Sequence, residues 1–168
     1  FQWFPKDQEA DFDKIALMES KDDGKTWSDP QAIAITGMPA ELNRSFDPTL
    51  VVLDDGRFRL YFTSERGNEF GKRGNRAIFS AVSSDGKNYV FEPKQRFGFS
   101  DKETFDCAVA FLDGTWHLYC PKMDGAGRGY HANSSDGLNF KNEAEVDIGK
   151  GHDWLGNVIS VRDGLRFF

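Results

Sequence analysis

Two acidic residues occupy equivalent places in two similar stretches of the sequence. Asp47 follows Phe46 at the start of one stretch, and Asp106 follows Phe105 at the start of the other. Two carboxyl groups brought together can divide acid and base work, because one with a raised pKa can protonate a leaving oxygen while the other acts as base or nucleophile. Asp47 and Asp106 are therefore the first candidates for catalysis, with the nearby Glu103 as a third.

Both acids precede a predicted β-hairpin. In residues 44–64 and 104–120, an apolar run meets an Asp-Gly pair and returns as a second apolar run. This pattern is typical of two strands joined by a tight turn. A third, shorter copy ends the sequence at residues 156–168.

Hairpins of a second kind alternate with these. The sequence Ser20-x-Asp22-x-Gly24-x-Thr26-Trp27 predicts a local turn in which the Asp accepts backbone N–H bonds, the Gly supplies a positive φ and the Trp covers the hairpin. Two degenerate copies follow, each ending in an aromatic residue. Their acidic and glycine positions are Asp85, Gly86, Asp136 and Gly137. We predict a structural role for all three turns.

The alternation of the two hairpins predicts the fold. Units of about 40–50 residues with four strands each are typical of β-propeller blades, which pack radially around a central channel. We therefore predict an all-β protein, a β-propeller of four-stranded antiparallel blades within a single domain, residues 1–168. Its parts would be an irregular lead-in (1–14), an outer hairpin (15–33), two blades (44–97 and 104–148) and an inner hairpin (156–168).

These parts amount to roughly three blade-equivalents, whereas propellers typically close with about four to eight blades. Two explanations remain open. Either the sequence is part of a longer protein, or copies of the chain associate so that a terminal inner hairpin and an initial outer hairpin form a composite blade.

In an up-and-down meander, the starts of the inner strands and the loops after the second strands share one face, whereas the tight turns share the other. On the first face we predict substrate contacts from aromatic and charged side chains: Arg44, Phe46, Phe105, Arg66, Arg128, His152, Asp153 and Trp154. The alternative is structural. Asp47 before Pro48 would cap a strand start, and Glu103 would be a solvated loop acid.

Composition argues against several other classes of function. A net charge of −6 without a clustered basic surface argues against nucleic-acid binding. The densest basic patch, formed by Arg66, Lys72, Arg73 and Arg76, is interpreted as a solvated loop rather than an anion site. No apolar run approaches the roughly 20 residues of a membrane span. No spacing indicates a metal site, and no motif indicates a cofactor.

Cys107 and Cys120 are the only cysteines. A two-residue turn at Asp113-Gly114 would place them opposite each other on paired strands, slightly far apart for an ideal disulfide. Either a disulfide joins them, or they are two buried thiols that pack as small apolar groups.

The residues also resemble known families. The Ser20 to Trp27 turn and its copies resemble the Asp-box repeats of sialidases and their BNR-repeat relatives. The hairpin that begins Phe46-Asp47-Pro48 resembles the strand opening of five-bladed propeller glycosidases of the arabinanase-like and invertase-like kind. These resemblances imply a central carbohydrate site, with Asp47 and either Asp106 or Glu103 as catalytic carboxylates.

One feature departs from the sialidase pattern. Sialidases use an arginine triad and a Tyr-Glu nucleophile pair; Arg44, Arg66 and Arg128 are available, but no motif marks them.

Two functions are predicted. The first prediction is a glycoside hydrolase acting on an extracellular glycan. The second is a non-catalytic propeller that binds carbohydrate or protein, or a structural extracellular module. Either way the protein would be extracellular or periplasmic, although the sequence shows no signal pattern.

Overall fold

The computed structural model describes residues 1–67, 75–149, 151 and 156–168. In these residues the regular structure is β-strand apart from a short 3-10 turn at Glu9–Asp11, so the all-β prediction is confirmed. The strands are β1 (Gln2–Trp3), β2 (Lys14–Leu17), β3 (Gln31–Ala32), β4 (Ala34–Thr36), β5 (Phe46–Val52), β6 (Phe58–Glu65), β7 (Arg76–Ser83), β8 (Asn88–Phe97), β9 (Ala108–Leu112), β10 (Thr115–Pro121), β11 (Arg128–Ser134), β12 (Lys141–Asp147), β13 (Val158–Val161) and β14 (Gly164–Phe167). This part of the chain contains no helix long and apolar enough to cross a membrane.

The strands form four sheets. The first sheet is β1-β2-β3, the second is β5-β6-β7-β8, the third is β9-β10-β11-β12, and the fourth is the hairpin β13-β14. Neighbouring strands in these sheets are antiparallel, and β4 extends the second sheet by pairing in parallel with β8. The lead-in is more ordered than its sequence indicates, because Gln2 of β1 pairs with Ile15 of β2.

The Asp-Gly turns differ between the second and third sheets. Leu112 pairs with Thr115, so Asp113 and Gly114 form the predicted two-residue turn, with φ of 49° and 78°. Such a turn needs positive φ at both positions, which Asp and Gly tolerate. The second sheet has a longer connection, in which the amide of Leu53 donates to the carbonyl of Arg57 at 2.8 Å.

The three Ser-x-Asp turns share one hydrogen-bond arrangement. The hydroxyls of Ser20, Ser83 and Ser134 donate to the Asp two residues later at 2.9, 2.8 and 2.7 Å. In the first turn the Asp22 carboxylate accepts from both the amide and the hydroxyl of Thr26. These bonds, led by those from Thr26, lower the pKa of Asp22 because they favour its charged form.

The later two turns replace Thr26 by an asparagine. Asp85 accepts from the amide and side chain of Asn88, and Asp136 accepts from those of Asn139. Trp27 differs from expectation, because its side chain is 59% exposed and its indole N–H donates to the carbonyl of Gly24 at 3.2 Å. It therefore covers its own turn but does not form a small core.

Alternation along the strands divides the core between the sheets. Leu60 and Phe62 of β6 belong to an apolar cluster with Ile15 of the first sheet, whereas Tyr61 belongs to a cluster shared with the third sheet. This follows from the two-residue period of a strand, which sends successive side chains to opposite faces. A third cluster joins β9 to the β13-β14 hairpin and covers the other face of the third sheet, so each central sheet is covered on both faces.

The inner strands of successive sheets lie beside one another. The hydroxyl of Thr49 on β5 donates to the carbonyl of Cys107 just before β9, and the hydroxyl of Ser160 on β13 donates to the carbonyl of Phe111 on β9. The inner strands β5, β9 and β13 thus converge, as the inner strands of propeller blades do.

The cysteines follow the second of the two predicted arrangements. Cys107 and Cys120 are free thiols, both buried in the cluster shared by the second and third sheets. Burial raises the pKa of the Cys107 thiol well above its usual range. Both side chains therefore pack as small apolar groups in this structure, and no disulfide joins them.

Candidate active site

The backbone at the start of β5 turns the Asp47 side chain away from the regular strand pattern. Phe46 pairs with Thr63, whereas Thr49 pairs with Tyr61, so β5 holds one more residue than β6 across this step. An extra residue of this kind is a β-bulge, which re-aims a side chain at a strand end. Asp47 has a φ of 50° there, in the left-handed region that aspartate tolerates better than most residues.

Asp106 has the same conformation before the third sheet. Its φ is 53°, and its amide donates to the Thr63 hydroxyl at 3.0 Å. Because Thr63 is the partner of Phe46 in the second sheet, this bond fixes Asp106 beside the opening of β5. Non-glycine residues in the left-handed region cluster at functional sites, where surrounding contacts hold them.

The two carboxyl groups differ in acidity. Burial, followed by the negative charge of Asp47, raises the pKa of Asp106 to about 7. Burial also raises the pKa of Asp47, but the guanidinium groups of Arg44 and Arg76 oppose this rise. The pair therefore has one member that keeps its proton near neutral pH and one whose charged form is supported by two cations.

Arg44 approaches the site from the strand opening itself. Its guanidinium carbon lies 4.3 Å from the centre of the Phe46 ring, and the side chain forms an ion pair with Asp13. Asp13 precedes β2, so this pair ties the first sheet to the site. Asp13 could not be identified from the sequence, because no motif surrounds it.

Arg76 lies at the start of β7 and reaches both openings. Its Nε donates to Oε1 of Glu65 at 2.5 Å, and its Nη1 lies 3.6 Å from Oε2 of Glu103. Its guanidinium carbon lies 5.9 Å from the Phe46 ring centre and 5.7 Å from that of Phe105.

The solvated-loop interpretation is wrong for Arg76, whose side chain is only 17% exposed, whereas Lys72 and Arg73 lie outside the described residues. Glu65 pairs directly with Arg76 across β6 and β7, and its side chain is 3% exposed. Opposite charges at the facing ends of two consecutive strands were the signal in the sequence, since directly paired residues of opposite charge attract.

The predicted site residues fall into three groups. The structure brings together the two aspartates and the side chains around them: Asp47, Asp106, Glu103, Arg44, Phe46 and Phe105. Arg66 and Arg128 have their contacts elsewhere. His152, Asp153 and Trp154 lie outside the described residues.

Arg66 contacts the other face of the second sheet. It donates to Oε1 of Gln95 at 3.0 Å, and its guanidinium carbon lies 5.7 Å from the centre of the Phe79 ring, which belongs to the cluster facing the first sheet. Arg128 pairs with Asp124 and with Glu145 of the outermost strand β12.

The tight turns lie at the opposite end of the strands. A cavity of about 360 Å³ there is lined by both kinds of turn, including Asp54, Gly114 and Asp136. The acids of the Ser-x-Asp turns are therefore separated from Asp47 and Asp106 by the length of the sheets. Among the described residues, no group of three or more His, Cys, Asp or Glu side chains could hold a metal ion.

Solved structures of similar fold were found, although no family model and no curated protein matches the sequence. A GH43_12 glycoside hydrolase retrieved from a capybara gut metagenome superposes with a TM-score of 0.61, with 16% identity over 86% of this chain and 29% of that one. A protein of unknown function from Dyadobacter fermentans superposes with a TM-score of 0.52, with 17% identity over 75% of this chain and 46% of that one.

At these identities the likeness shows the fold alone. The radial arrangement of four-stranded antiparallel sheets is that of a β-propeller, and the predicted fold class is confirmed. The chain spans about a third to a half of the length of these two neighbours.

Proposed function

We propose that this chain carries the acid and base of a propeller glycosidase, which cleaves glycosidic bonds of a carbohydrate. The observation that supports the proposal most is the pair Asp47 and Asp106, which come from neighbouring sheets, share one backbone conformation and differ in acidity. The structural neighbour from the GH43_12 group supports the same class of function.

The difference in acidity assigns the roles. Asp106 has a pKa of about 7, so it can hold a proton and pass it to the leaving glycosidic oxygen. Asp47 is ionised more readily because Arg44 and Arg76 favour its charged form, so it acts as base towards water or as nucleophile. The Phe105 ring beside them suits the apolar face of a sugar ring, whereas the Phe46 ring is only 6% exposed and packs against Arg44.

The arginines argue for a glycosidase other than a sialidase. Arg44 belongs to the site, whereas Arg66 and Arg128 bind partners on other surfaces of the sheets. No arginine triad therefore gathers from these three residues. A kinship of the Ser20 to Trp27 turn with Asp-box repeats stays a prediction, as does an extracellular or periplasmic location.

The complete ring is also part of the proposal. The activity belongs to an assembly that contains these sheets and the further blades of a propeller, supplied by more of the same polypeptide or by a second copy of the chain. Self-association predicts a molar mass in solution of at least twice that of one chain.

Hydrolysis of a panel of aryl glycosides tests the function. We expect turnover of at least one substrate, and loss of it in both Asp47→Asn and Asp106→Asn. Asp163→Asn is the matched control, because Asp163 lies in the tight turn between β13 and β14 and should leave turnover unchanged. Glycan binding without turnover of any substrate would replace the proposal by a non-catalytic binding module.

A further inference from the structure

Arg76 lies in the gap between the second and third sheets at the end that holds the candidate site. Its partner across the strands, Glu65, follows Thr63 by two residues and so lies on the same face of β6. That face is the one onto which the Asp106 amide binds through the Thr63 hydroxyl. The Arg76 side chain therefore extends from the second sheet towards the third sheet.

Arg76 contacts residues from both sheets at this point. Glu65 and Phe46 belong to the second sheet, whereas Glu103 and Phe105 belong to the segment that leads into β9. One planar guanidinium group therefore contacts both the start of β5 and the segment that leads into β9.

Building on the proposed function, we propose that Arg76 is the positioning residue of this site. It holds the segments that lead into β5 and β9 in a fixed relative position, and it keeps Asp47 charged while Asp106 holds its proton.

The shape of the guanidinium group suits the first of these tasks. It is planar and rigid, it offers several N–H donors in fixed directions, and it can lie against aromatic rings while binding carboxylates. A lysine at the same place would bring one charge, but it could not hold two carboxylates and two rings in a fixed plane.

The charges around the aspartates support the second task. Burial, Arg44 and Arg76 act on Asp47, whereas burial and the charge of Asp47 act on Asp106. Arg44 is itself paired with Asp13, and Arg76 with Glu65 and Glu103. Loss of the Arg76 charge would raise the pKa of Asp47, and the less often charged Asp47 would then raise the pKa of Asp106 less. The two values would converge.

Arg76→Met alone would leave the buried Glu65 carboxylate without its partner, and an unpaired buried charge would itself destabilise the fold. The double variant Arg76→Met/Glu65→Gln removes both charges together, and Glu65→Gln alone is its control. Arg76→Lys keeps the charge but not the planar geometry. Arg66→Met removes an arginine of the same sheet whose contacts lie on the opposite face.

Carbon NMR titration of the aspartate carboxyl groups measures the effect directly. We expect the separation between the pKa values of Asp47 and Asp106 to shrink by about one unit in Arg76→Met/Glu65→Gln. We expect it to change little in Arg76→Lys, Glu65→Gln and Arg66→Met. An unchanged separation in the double variant would overturn the proposal, as would an equal change in Arg66→Met.

Kinetics separate positioning from charge. Arg76→Lys should lower kcat by about tenfold or more while the pH profile keeps its position, because the charge remains and the geometry does not. Wild-type kcat in Arg76→Lys would overturn the positioning role. If the wild-type protein hydrolyses no glycoside, the proposed function fails, whereas the NMR titration still decides whether Arg76 separates the two aspartates.

Discussion

The openings of the second and third sheets are alike in backbone and different in surroundings. Asp47 and Asp106 each follow a phenylalanine and have nearly the same φ. The charges of two arginines favour the ionised form of Asp47. The amide of Asp106 donates to the uncharged Thr63 hydroxyl, and the charge of Asp47 disfavours ionisation of the Asp106 carboxyl group. The repeated sequence thus places two acids alike, and their non-repeated neighbours let Asp106 hold its proton to a higher pH than Asp47.

The two aspartates keep their relative position only if the second and third sheets do. Contacts at the far end of the same interface hold these two sheets together. Three side chains of the second sheet donate to three consecutive carbonyls of the third sheet's turn. Arg59 donates to Asp136 at 3.3 Å, Tyr61 to Gly137 at 2.7 Å and Arg96 to Leu138 at 3.0 Å. The interface is therefore tied at the turn end by these bonds and at the site end by Arg76.

The largest expected effect comes from removing either acid. Asp47→Asn and Asp106→Asn should each lower kcat/KM by about 10²–10⁴-fold, the usual range for a lost general acid or base. The double variant should be little worse than the more damaged single variant, because the two groups act as a unit. Kinetics on one hydrolysed glycoside give all three values. Losses that multiply in the double variant would show that the two acids act independently.

A methyl group at the turn end should loosen the interface. In Gly137→Ala, the added Cβ would lie 2.9 Å from Nη1 of Arg59 and from the hydroxyl oxygen of Tyr61, and φ there is +69°. We expect a loss of roughly 2–4 kcal/mol in the free energy of unfolding from crowding and backbone strain together, measured by urea denaturation.

Gly114→Ala is the matched control for that substitution. Its φ is +78°, but nothing lies within 4 Å of the added Cβ. It should therefore show the strain alone, about 1–2 kcal/mol. Equal losses in the two variants would mean that the three carbonyl bonds do not hold the sheets in place.

The smallest expected effect is on stability as a function of pH. The pKa of Asp106 rises from 3.8 to about 7 on folding, so the folded protein binds more protons than the unfolded chain between these values. Its stability should fall as pH rises through this window. Asp106→Asn removes this cost, so the variant should gain on the wild type from pH 4 to pH 8.

The gain should be roughly 1 kcal/mol at pH 8, a figure reduced for the partial exposure of the carboxyl group. Asp47→Asn should gain less, because Arg44 and Arg76 already offset the cost of burying Asp47. Denaturation curves at several pH values measure both differences. A variant Asp106→Asn that loses stability at high pH would contradict the raised pKa.

The features of the fold that follow from the repeated hairpins could be predicted from the sequence. Alternating hairpins predicted the sheets, and the Asp113-Gly114 turn predicted the register that pairs Leu112 with Thr115. The same repeat placed Asp47 and Asp106 at equivalent positions. Their approach followed from the fold, because equivalent strand openings converge in a propeller.

The sequence was insufficient where contacts between sheets decide. Arg76 looks like part of a basic loop, and only the packing of the third sheet shows that it faces Glu103 and Phe105. The two-residue strand β1 is too short to leave a pattern and exists through its pairing with β2. The parallel strand β4 could not be predicted from hairpin signals, since its partner β8 lies more than 50 residues away.

The most direct measurement is the carbon NMR titration of the aspartate carboxyl groups in the wild-type protein. The proposed site predicts that Asp106 titrates near pH 7, that Asp47 titrates at a lower pH, and that each resonance senses the titration of the other. Two independent titrations near the ordinary aspartate value, or an Asp47 that holds its proton more tightly than Asp106, would contradict it.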